Sequence, residues 1–587
     1  MFFSQAQRLA SRPLFFVKRA GTYQPITWAQ ARETVEALSA YLLHLPLNPG
    51  DRVLLLSENR PEWGLADLAI QAVRGCTVPV YPSLPAADIQ LIAADCEPVA
   101  CIVSTGEQAN KLDAVCKQVR SIRLVIVMDP PAPGSQPLWD DAVAQGRTLS
   151  ERLRTLLESR LQESTPDDTA SILYTSGTTG EPKGVMLSHR NFLANVEASQ
   201  QAIPVREDDV HLSFLPLSHV FERMAGWYLM LHVGASVAYA ENMDTLPQNM
   251  LEAHPTIMLG VPRFFEKLYA RIQEGIRQAP PAKQRLIRWA LSVGQQTAPY
   301  RLAHRPLPMP LRLRARLAEA LVFKKLKGRL GGRLRFFISG SAPLSKTIAE
   351  FFYQAGVTIL EGYGLTETSP VITVNRPEAL KFGTVGKPLD GVEVRIAEDG
   401  EILTRSACVM SGYYGKPEAT QAAMTDGWFR TGDIGRLDED GFLVITDRKK
   451  DLIKTAGGKF VAPQKLENLF VTDPYIAQAV VYGDQQPYCV ALIVPNFQRL
   501  SDYAQSQGLH GVSTKELVCL PQIQQFLWSR VHALQQPLAS FEQVKAIAVL
   551  DQEFTQAAGE LTPTMKAKRA MIIARHQEAL RRLYAKA

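Results

Sequence analysis

Eleven consecutive residues, YTSGTTGEPKG at 174–184, follow the strand-like run SILYT and crowd glycines, hydroxyls and a lysine into one loop. Gly177, Gly180 and Gly184 let the backbone curl and turn its N–H groups toward an anion. The hydroxyls of Thr175, Ser176, Thr178 and Thr179 add donors, and Lys183 adds positive charge, a set that suits a polyphosphate. The spacing does not fit G-x-x-x-x-G-K-[ST], so this is not a Walker loop. A second stretch, EGYGLTE at 361–367, offers an aromatic that can stack on a purine between Gly362 and Gly364. Its Thr366 can donate to a phosphate, and Glu367 supplies the hard oxygen that Mg²⁺ takes beside phosphates. Asp433, at the end of GWFRTGD, can accept two hydrogen bonds from vicinal hydroxyls. Lys566, in LTPTMKAKR at 561–569, is a cation that could bridge a carboxylate and the phosphate it attacks, easing the approach of two negative groups. Lys568 and Arg569 are expected to be solvated cations of the final helix.

These residues need elements to hold them. The first 165 residues alternate helix-like and strand-like runs. Thr27 opens a helical pattern, the strand RVLLLSEN follows Gly50-Asp51, and a helix around WGLADLAIQAVRG leads to the strand TVPVYP. Residues 98–103 and 123–128 are two more buried-strand candidates. Strands separated by helices of about 10–15 residues predict a doubly wound α/β sheet. The proline- and polar-rich interval 130–168 is expected to be a surface connection. Residues 225–240 form a weakly polar run too short to span a bilayer, which takes about 20 apolar residues, and are expected to be a buried helix leading into a strand. Between 383 and 447 short β-like runs with Asp-Gly turn pairs predict a small β-barrel or distorted sheet. After Asp447-Arg448-Lys449-Lys450 the pattern becomes mixed α+β.

Seven motifs in one order carry a resemblance to the adenylate-forming (AMP-binding) superfamily. Beyond the loop at 174–184 they are LPLSH at 215–219, GSAP at 340–343, EGYGLTE, GWFRTGD, the pair Asp447-Arg448, KTAGGK at 454–459 and PTMK at 563–566. The resemblance covers nearly the whole chain. It implies an α/β fold: a large N-terminal domain (1–447) of doubly wound α/β subdomains plus the small β-barrel, then a small mobile α+β C-terminal domain (448–587). It also implies roles. Tyr363 would lie along adenine, Thr366 would meet the α-phosphate, and Glu367, with Thr175 nearby, would bind Mg²⁺. Asp433 and Arg448 would hold the ribose, and His219 would sit beside the substrate carboxylate. Gly340, Glu361 and Lys454 fall in the ATP-binding motifs. Lys566 would be the bridging cation for adenylation. Rotation about a hinge at Asp447 would then withdraw it and bring up Gly457, Gly458 and Lys459 for the pantetheine of coenzyme A.

The motif VPRFFEKLY at 261–269, followed by a long helical insertion, resembles long-chain fatty acid–CoA ligases. The implied reaction is ATP-dependent activation of a long-chain fatty acid to acyl-AMP, then transfer to coenzyme A. A fatty acyl-AMP ligase loading an acyl carrier protein shares the first step; such enzymes often carry an insertion near the hinge, and none separates Asp447 from Lys459. A catalytically silent lipid-binding or membrane-tethering relative would show degraded motifs, and these are intact.

Bulk properties narrow the rest. The 587 residues are 46% hydrophobic and 21% charged, ordinary globular composition. Seven scattered cysteines, never spaced C-x-x-C, exclude a disulfide framework or a cysteine zinc site and fit a reducing cytoplasm. No continuous apolar stretch marks the N-terminus, so a secretory signal is not expected. The net charge of +6 is uneven: residues 271–335 hold 16 Lys/Arg against Glu274 and Glu319 alone. That segment is either a solvated helical face or a surface drawn to anionic lipid on the inner face of a membrane. No nucleic-acid fold signature accompanies the charge, so nucleic acid is not expected as a partner. Oligomeric state and chain-length preference are left open.

Overall fold

Apolar runs of four or five residues such as RVLLL, ACIV and LVIV are too short for buried helices, and they become the strands of a parallel sheet buried on both faces. In the computed structural model, which describes residues 1–45, 47–131, 136–176, 182–556, 558–562 and 566–585, they join a seven-stranded sheet. Its order is Gly412–Tyr413, Pro182–Ser188, Thr169–Ser176, Cys76–Val80, Arg52–Leu56, Ala100–Val103, Leu124–Val127. The last five are parallel; the first two are added antiparallel.

A second, nine-stranded sheet has six parallel strands at its centre: Thr358–Gly364, Phe336–Ser339, Ile257–Gly260, Val210–Ser213, Ser236–Tyr239 and Pro13–Arg19. Antiparallel strands close both its edges. One buried cluster takes Val53 and Leu55 from the first sheet, Ile257 and Ile338 from the second, and Leu38, Trp63 and Trp227 from helical segments. The expected N-terminal alternation is present. Thr27 caps the helix Trp28–His44 through a reciprocal box with Gln30, which satisfies two otherwise orphaned N–H groups. Residues 225–240 continue from a buried wide turn, Glu222–Tyr228, through a short helix to the strand Ser236–Tyr239, as expected.

The interval 130–168 is not merely a surface connection. It contains the 25-residue helix Trp139–Glu163, packed along Trp28–His44. Trp139, Ala142, Val143 and Gly146 form its buried stripe; its many charges hide the pattern in the sequence. The two helices meet so closely that a Cβ on Gly146 would lie 2.0 Å from the carbonyl oxygen of Ala37.

Residues 393–448 form an open five-stranded antiparallel sheet, the distorted sheet rather than a closed barrel. The smaller C-terminal domain has a three-stranded sheet, Ile476–Tyr482, Cys489–Pro495 and Val544–Val549, flanked by helices. The basic insertion is helical: Pro262–Arg277, Pro281–Leu302, Met309–Ala318, the wide turn Glu319–Phe323 and Lys324–Arg329. No helix among the described residues is long and apolar enough to cross a membrane.

Candidate functional site

Strands of both sheets end at one place. Thr175 closes Thr169–Ser176, Gly340 follows Phe336–Ser339, Gly362 to Gly364 end Thr358–Gly364, and His219 lies on the loop after Val210–Ser213. The carboxyl ends of parallel strands leave a crevice, which is where open α/β sheets bind ligands. Here it is a cavity of about 960 Å³. Its lining also includes Lys183, Thr366, Glu367, Asp433, Arg448 and, from the C-terminal domain, Lys566.

Within it the side chains fix one another. The Tyr363 hydroxyl donates to Asp433 at 2.7 Å, and Arg448 Nε lies 3.2 Å from the other Asp433 oxygen. The adjoining strands Trp428–Leu437 and Leu443–Arg448 put Asp433 directly opposite Arg448, so the pair is set by sheet register. Glu367 accepts from the Tyr413 hydroxyl at 2.8 Å, and Lys183 Nζ sits 5.1 Å from the centre of the Tyr413 ring. Thr175 and Lys183 are paired across the antiparallel strands that flank the glycine-rich loop. Glu367 and Thr175 thus add a carboxylate and a hydroxyl to the cavity lining. Mg²⁺ is commonly held by one or two carboxylates together with substrate phosphates and water, and these donors fit it.

His219 accepts from the backbone N–H of Phe221 through Nδ1 at 3.2 Å. Burial, then the facing charge of Lys566, pushes its pKa down to about 4, so the imidazole is neutral at physiological pH. Lys566 is tied to Thr562: its backbone N–H donates to Thr562 Oγ1 at 3.0 Å and its carbonyl accepts from Thr562 N at 2.8 Å. Burial, then the neighbouring Arg448 guanidinium, lowers its pKa to about 8, while Asp433, Asp451 and Asp447 pull the other way.

Gly364 has a specific reason to be glycine. A Cβ there would lie 1.7 Å from the carbonyl oxygen of Pro370, across the turn that presents Thr366 and Glu367. Gly364→Ala is therefore expected to cost about 1–3 kcal/mol through overpacking and to displace that turn. A lowered melting temperature together with weakened ATP binding would bear this out; wild-type values for both would contradict it.

Not every expected site residue faces the cavity. Glu361 turns away from it: its carboxyl is buried, accepts from the Leu344 backbone, and is pushed up to about 8. Lys454 lies outside the lining on the hairpin of Ile453–Lys454 with Phe460–Val461, its Nζ over the Phe460 ring at 5.7 Å. Gly457, Gly458 and Lys459 are exposed at the tip of that hairpin, away from the cavity. Gly177, Thr178, Thr179, Gly180 and residues 563–565 lie outside the described residues, as does the side chain of Ser176. Asp447 is 1% exposed, one carboxylate oxygen accepts from Arg448 N at 2.6 Å, and burial pushes its pKa up to about 6.

Arg569 is not a solvated cation. Its guanidinium makes two bonds of 2.8 Å to Glu467 and a third to the carbonyl of Val481, which fixes the base of the segment bearing Lys566. Lys568 lines the cavity. Tyr413 and Phe221 were also missed, although Tyr413 stands between Gly412 and Gly415 in SGYYGK and Phe221 lies two residues beyond His219.

Comparison with known proteins identifies the family. The family described as AMP-binding enzyme matches residues 2–414, and the AMP-binding enzyme C-terminal domain matches residues 450–587. A long-chain-fatty-acid–CoA ligase, FadD15, of Mycobacterium bovis is 35% identical, covering 96% of this chain and 93% of the relative. The peroxisomal long chain acyl-CoA synthetase 6 of Arabidopsis thaliana is 32% identical over 96% of this chain and 82% of its own. Among solved structures, the anthranilate CoA ligase AuaEII bound to anthranoyl-AMP aligns with a TM-score of 0.76 at 19% identity, covering 99% and 97% of the two chains. ATP-bound MatB from Rhodopseudomonas palustris aligns at 0.72 and 24%, covering 98% and 99%; at such identities these two speak for the fold alone. With the cavity at the strand ends, the ordered motifs and near full-length relatives in agreement, the chain belongs to the AMP-binding enzyme family.

Proposed function

We propose that this protein is a long-chain fatty acid–CoA ligase that forms AMP. The observation that carries the reading is the convergence of Lys566, from the C-terminal domain, with Thr366, Glu367 and the Tyr363–Asp433–Arg448 set around one cavity. In the first step a carboxylate oxygen of the acid attacks the α-phosphorus of ATP, and the bond to pyrophosphate breaks. Lys566 lies between the two anions as they meet and stabilises the charge that concentrates there. Thr366 donates to the α-phosphate, Asp433 and Arg448 hold the ribose, Tyr363 lies along the adenine, and Lys183 with the loop at 174–184 takes the outer phosphates. Glu367 and Thr175 would hold Mg²⁺, whose charge offsets that of the phosphate oxygens. Neutral His219 lies beside the acid without opposing its charge.

In the second step the thiol sulfur of coenzyme A attacks the acyl carbon and AMP leaves. Lys566 has then withdrawn by rotation of residues 448–587 about Asp447, and the hairpin with Gly457, Gly458 and Lys459 has turned in. The exposed position of that hairpin, and the exclusion of Lys454 from the lining, suit an arrangement poised for the first step. Away from the hinge, the contacts that hold the domains in it include Arg277 with Asp502 at 3.1 Å, Arg499 with Glu274 at 3.2 Å, and Arg263 donating to the carbonyl of Ala477 at 2.5 Å. The short hairpin, with no inserted segment between Asp447 and Lys459, favours coenzyme A over a carrier protein as acceptor. The intact cavity favours an active enzyme over a silent relative. A bilayer-partitioning substrate and the basic segment 271–335 together favour a peripheral contact with an anionic membrane.

Lys566 must be protonated to act, and its pKa of about 8 sets the pH dependence. Its positive form is complete well below pH 8 and is lost as pH rises through that value. kcat/KM for adenylation is expected to fall about tenfold per pH unit above the pKa, as a property of the free enzyme. Bound phosphate favours the charged lysine, so the limb in kcat lies at higher pH. Lys566→Arg should abolish the limb; its persistence there would assign it to another group.

The reading is tested by release of AMP with acetate, octanoate and palmitate, each with coenzyme A or with holo-acyl carrier protein. Palmitate with coenzyme A is expected to be the best pair. A preference for acetate would remove the long-chain assignment, and a preference for the carrier protein would replace the acceptor.

A further inference from the structure

The helix Met309–Ala318 and the wide turn after it have two apolar faces, and the fold uses only one. Leu311, Ala315, Ala318, Val322 and Phe323 pack inward with Ala290 and Val293 of the helix Pro281–Leu302. On the opposite side Met309, Leu313, Leu317 and Leu321 are 66%, 55%, 55% and 47% exposed. Four-residue steps advance only about 40° around a helix, so these side chains make one slowly winding ridge. Exposed arginines flank it: Arg314 on one side, Arg312 and Arg316 on the other. Exposed Lys324, Lys325 and Arg329 continue the charge. Residues 309–329 hold seven cations against Glu319 alone, and Glu319 is already engaged by Lys327 at 2.9 Å.

We propose that this ridge is a membrane-insertion surface: Met309, Leu313, Leu317 and Leu321 enter the acyl boundary of an anionic bilayer while the flanking arginines and lysines meet lipid phosphates. The inference deepens the peripheral contact proposed above by naming its residues, and it stands whichever acid the enzyme activates. An apolar ridge edged by cations is what an interfacial helix presents to a membrane plane, and both halves are needed. The cations draw the protein toward negative headgroups within a screening length of about 10 Å at 0.1 M salt. The apolar ridge then removes four otherwise hydrated side chains from water. A second protein carrying an acidic groove would meet the same charge, but four large apolar side chains projecting from a convex helix suit the pliable acyl boundary better than a fixed surface.

The test uses the full-length protein with vesicles of phosphatidylcholine alone and of phosphatidylcholine with an equal part of phosphatidylglycerol. Wild type is expected to sediment with the second and not the first, and to be released by salt. The double substitution Leu313→Ser/Leu317→Ser should weaken binding about tenfold or more, through lost apolar burial at unchanged charge. Reversal of Arg312, Arg314 and Arg316 to glutamate should abolish it. The indole introduced by Leu317→Trp, read as the difference from wild type, should shift its emission to the blue on the anionic vesicles and be quenched by brominated acyl chains. Because all these side chains are exposed, melting temperature and vesicle-free adenylation should match wild type, which separates this proposal from the ligase reading. Equal binding to both vesicles, wild-type binding by the serine variant, or an introduced indole that brominated chains leave unquenched would overturn it. So would a dimer in sedimentation velocity that the serine substitutions dissociate, since the ridge would then be covered by a second copy.

Discussion

Replacing Lys566 with alanine is expected to slow formation of the acyl-adenylate by about 10²–10³-fold while leaving transfer to coenzyme A from supplied acyl-adenylate nearly unchanged. The size follows from the setting. Lys566 is a half-buried cation lining the cavity that holds Thr366 and Asp433, where partial burial weakens screening and one positive charge acts strongly. The selectivity follows from the chain: Lys566 belongs to the C-terminal domain and, in the proposed rotation, is the group that leaves. Separate assays of each half-reaction check it, with Lys566→Arg expected to recover part of the first. Equal loss of both halves would contradict the division of labour between the two domain positions. Arg569→Ala should imitate the defect more weakly, because it frees the base of the segment that carries Lys566 from Glu467.

The largest effect on stability is expected at Arg223. This guanidinium is fully buried, paired with the equally buried Asp67, and encircled by the rings of Trp63, Phe192 and Tyr228 at 5.4–5.6 Å. Asp67 also accepts from Thr77 Oγ1 at 2.8 Å, Gln71 Nε2 at 2.9 Å and the Tyr228 hydroxyl at 2.7 Å. Arg223 donates in addition to Ser171, on the strand Thr169–Ser176 that carries Thr175. Arg223→Met leaves the Asp67 carboxylate buried without its counter-charge and should destabilise the large domain by about 3–5 kcal/mol. Arg223→Met with Asp67→Leu should recover much of this, since removing both charges is often close to neutral. Calorimetry on the two singles and the double measures the coupling. Additive losses would mean that the pair contributes little as a pair. Because Arg223 lies one helical turn beyond His219 and touches the strand of Thr175, the single variant should also raise KM for ATP.

The sequence made the chemistry legible where one short segment carries it. The loop at 174–184, EGYGLTE and GWFRTGD each put their key side chains within eleven residues, and the cavity gathers Thr175, Lys183, Thr366, Glu367 and Asp433 from them. Strand identity was equally plain in RVLLL, ACIV and LVIV, where length and composition leave little choice. Features that depend on distant partners were not legible. Arg569 reads as one more exposed cation because its partner, Glu467, is 102 residues away. Glu361 shares a motif with Glu367, yet it lies inside the strand Thr358–Gly364, buried beside the Leu344 backbone where burial neutralises it, whereas Glu367 lies on the turn beyond the strand and lines the cavity. Trp139–Glu163 reads as a polar connection because only a narrow stripe of it is apolar. Where Lys566 stands depends on the docking of two domains through Arg263, Arg277 and Arg499, and spacing along a chain does not encode that.

The central claim is that one cavity activates a carboxylic acid by adenylation before any thiol is needed. Exchange of labelled pyrophosphate into ATP tests this most directly, measured with palmitate and Mg²⁺ in the absence of coenzyme A and followed by addition of the thiol. The account predicts acid-dependent exchange without coenzyme A, then AMP and palmitoyl-CoA in equal amounts once it is added. No acid-dependent exchange, or ADP and phosphate as the products of ATP, would contradict it.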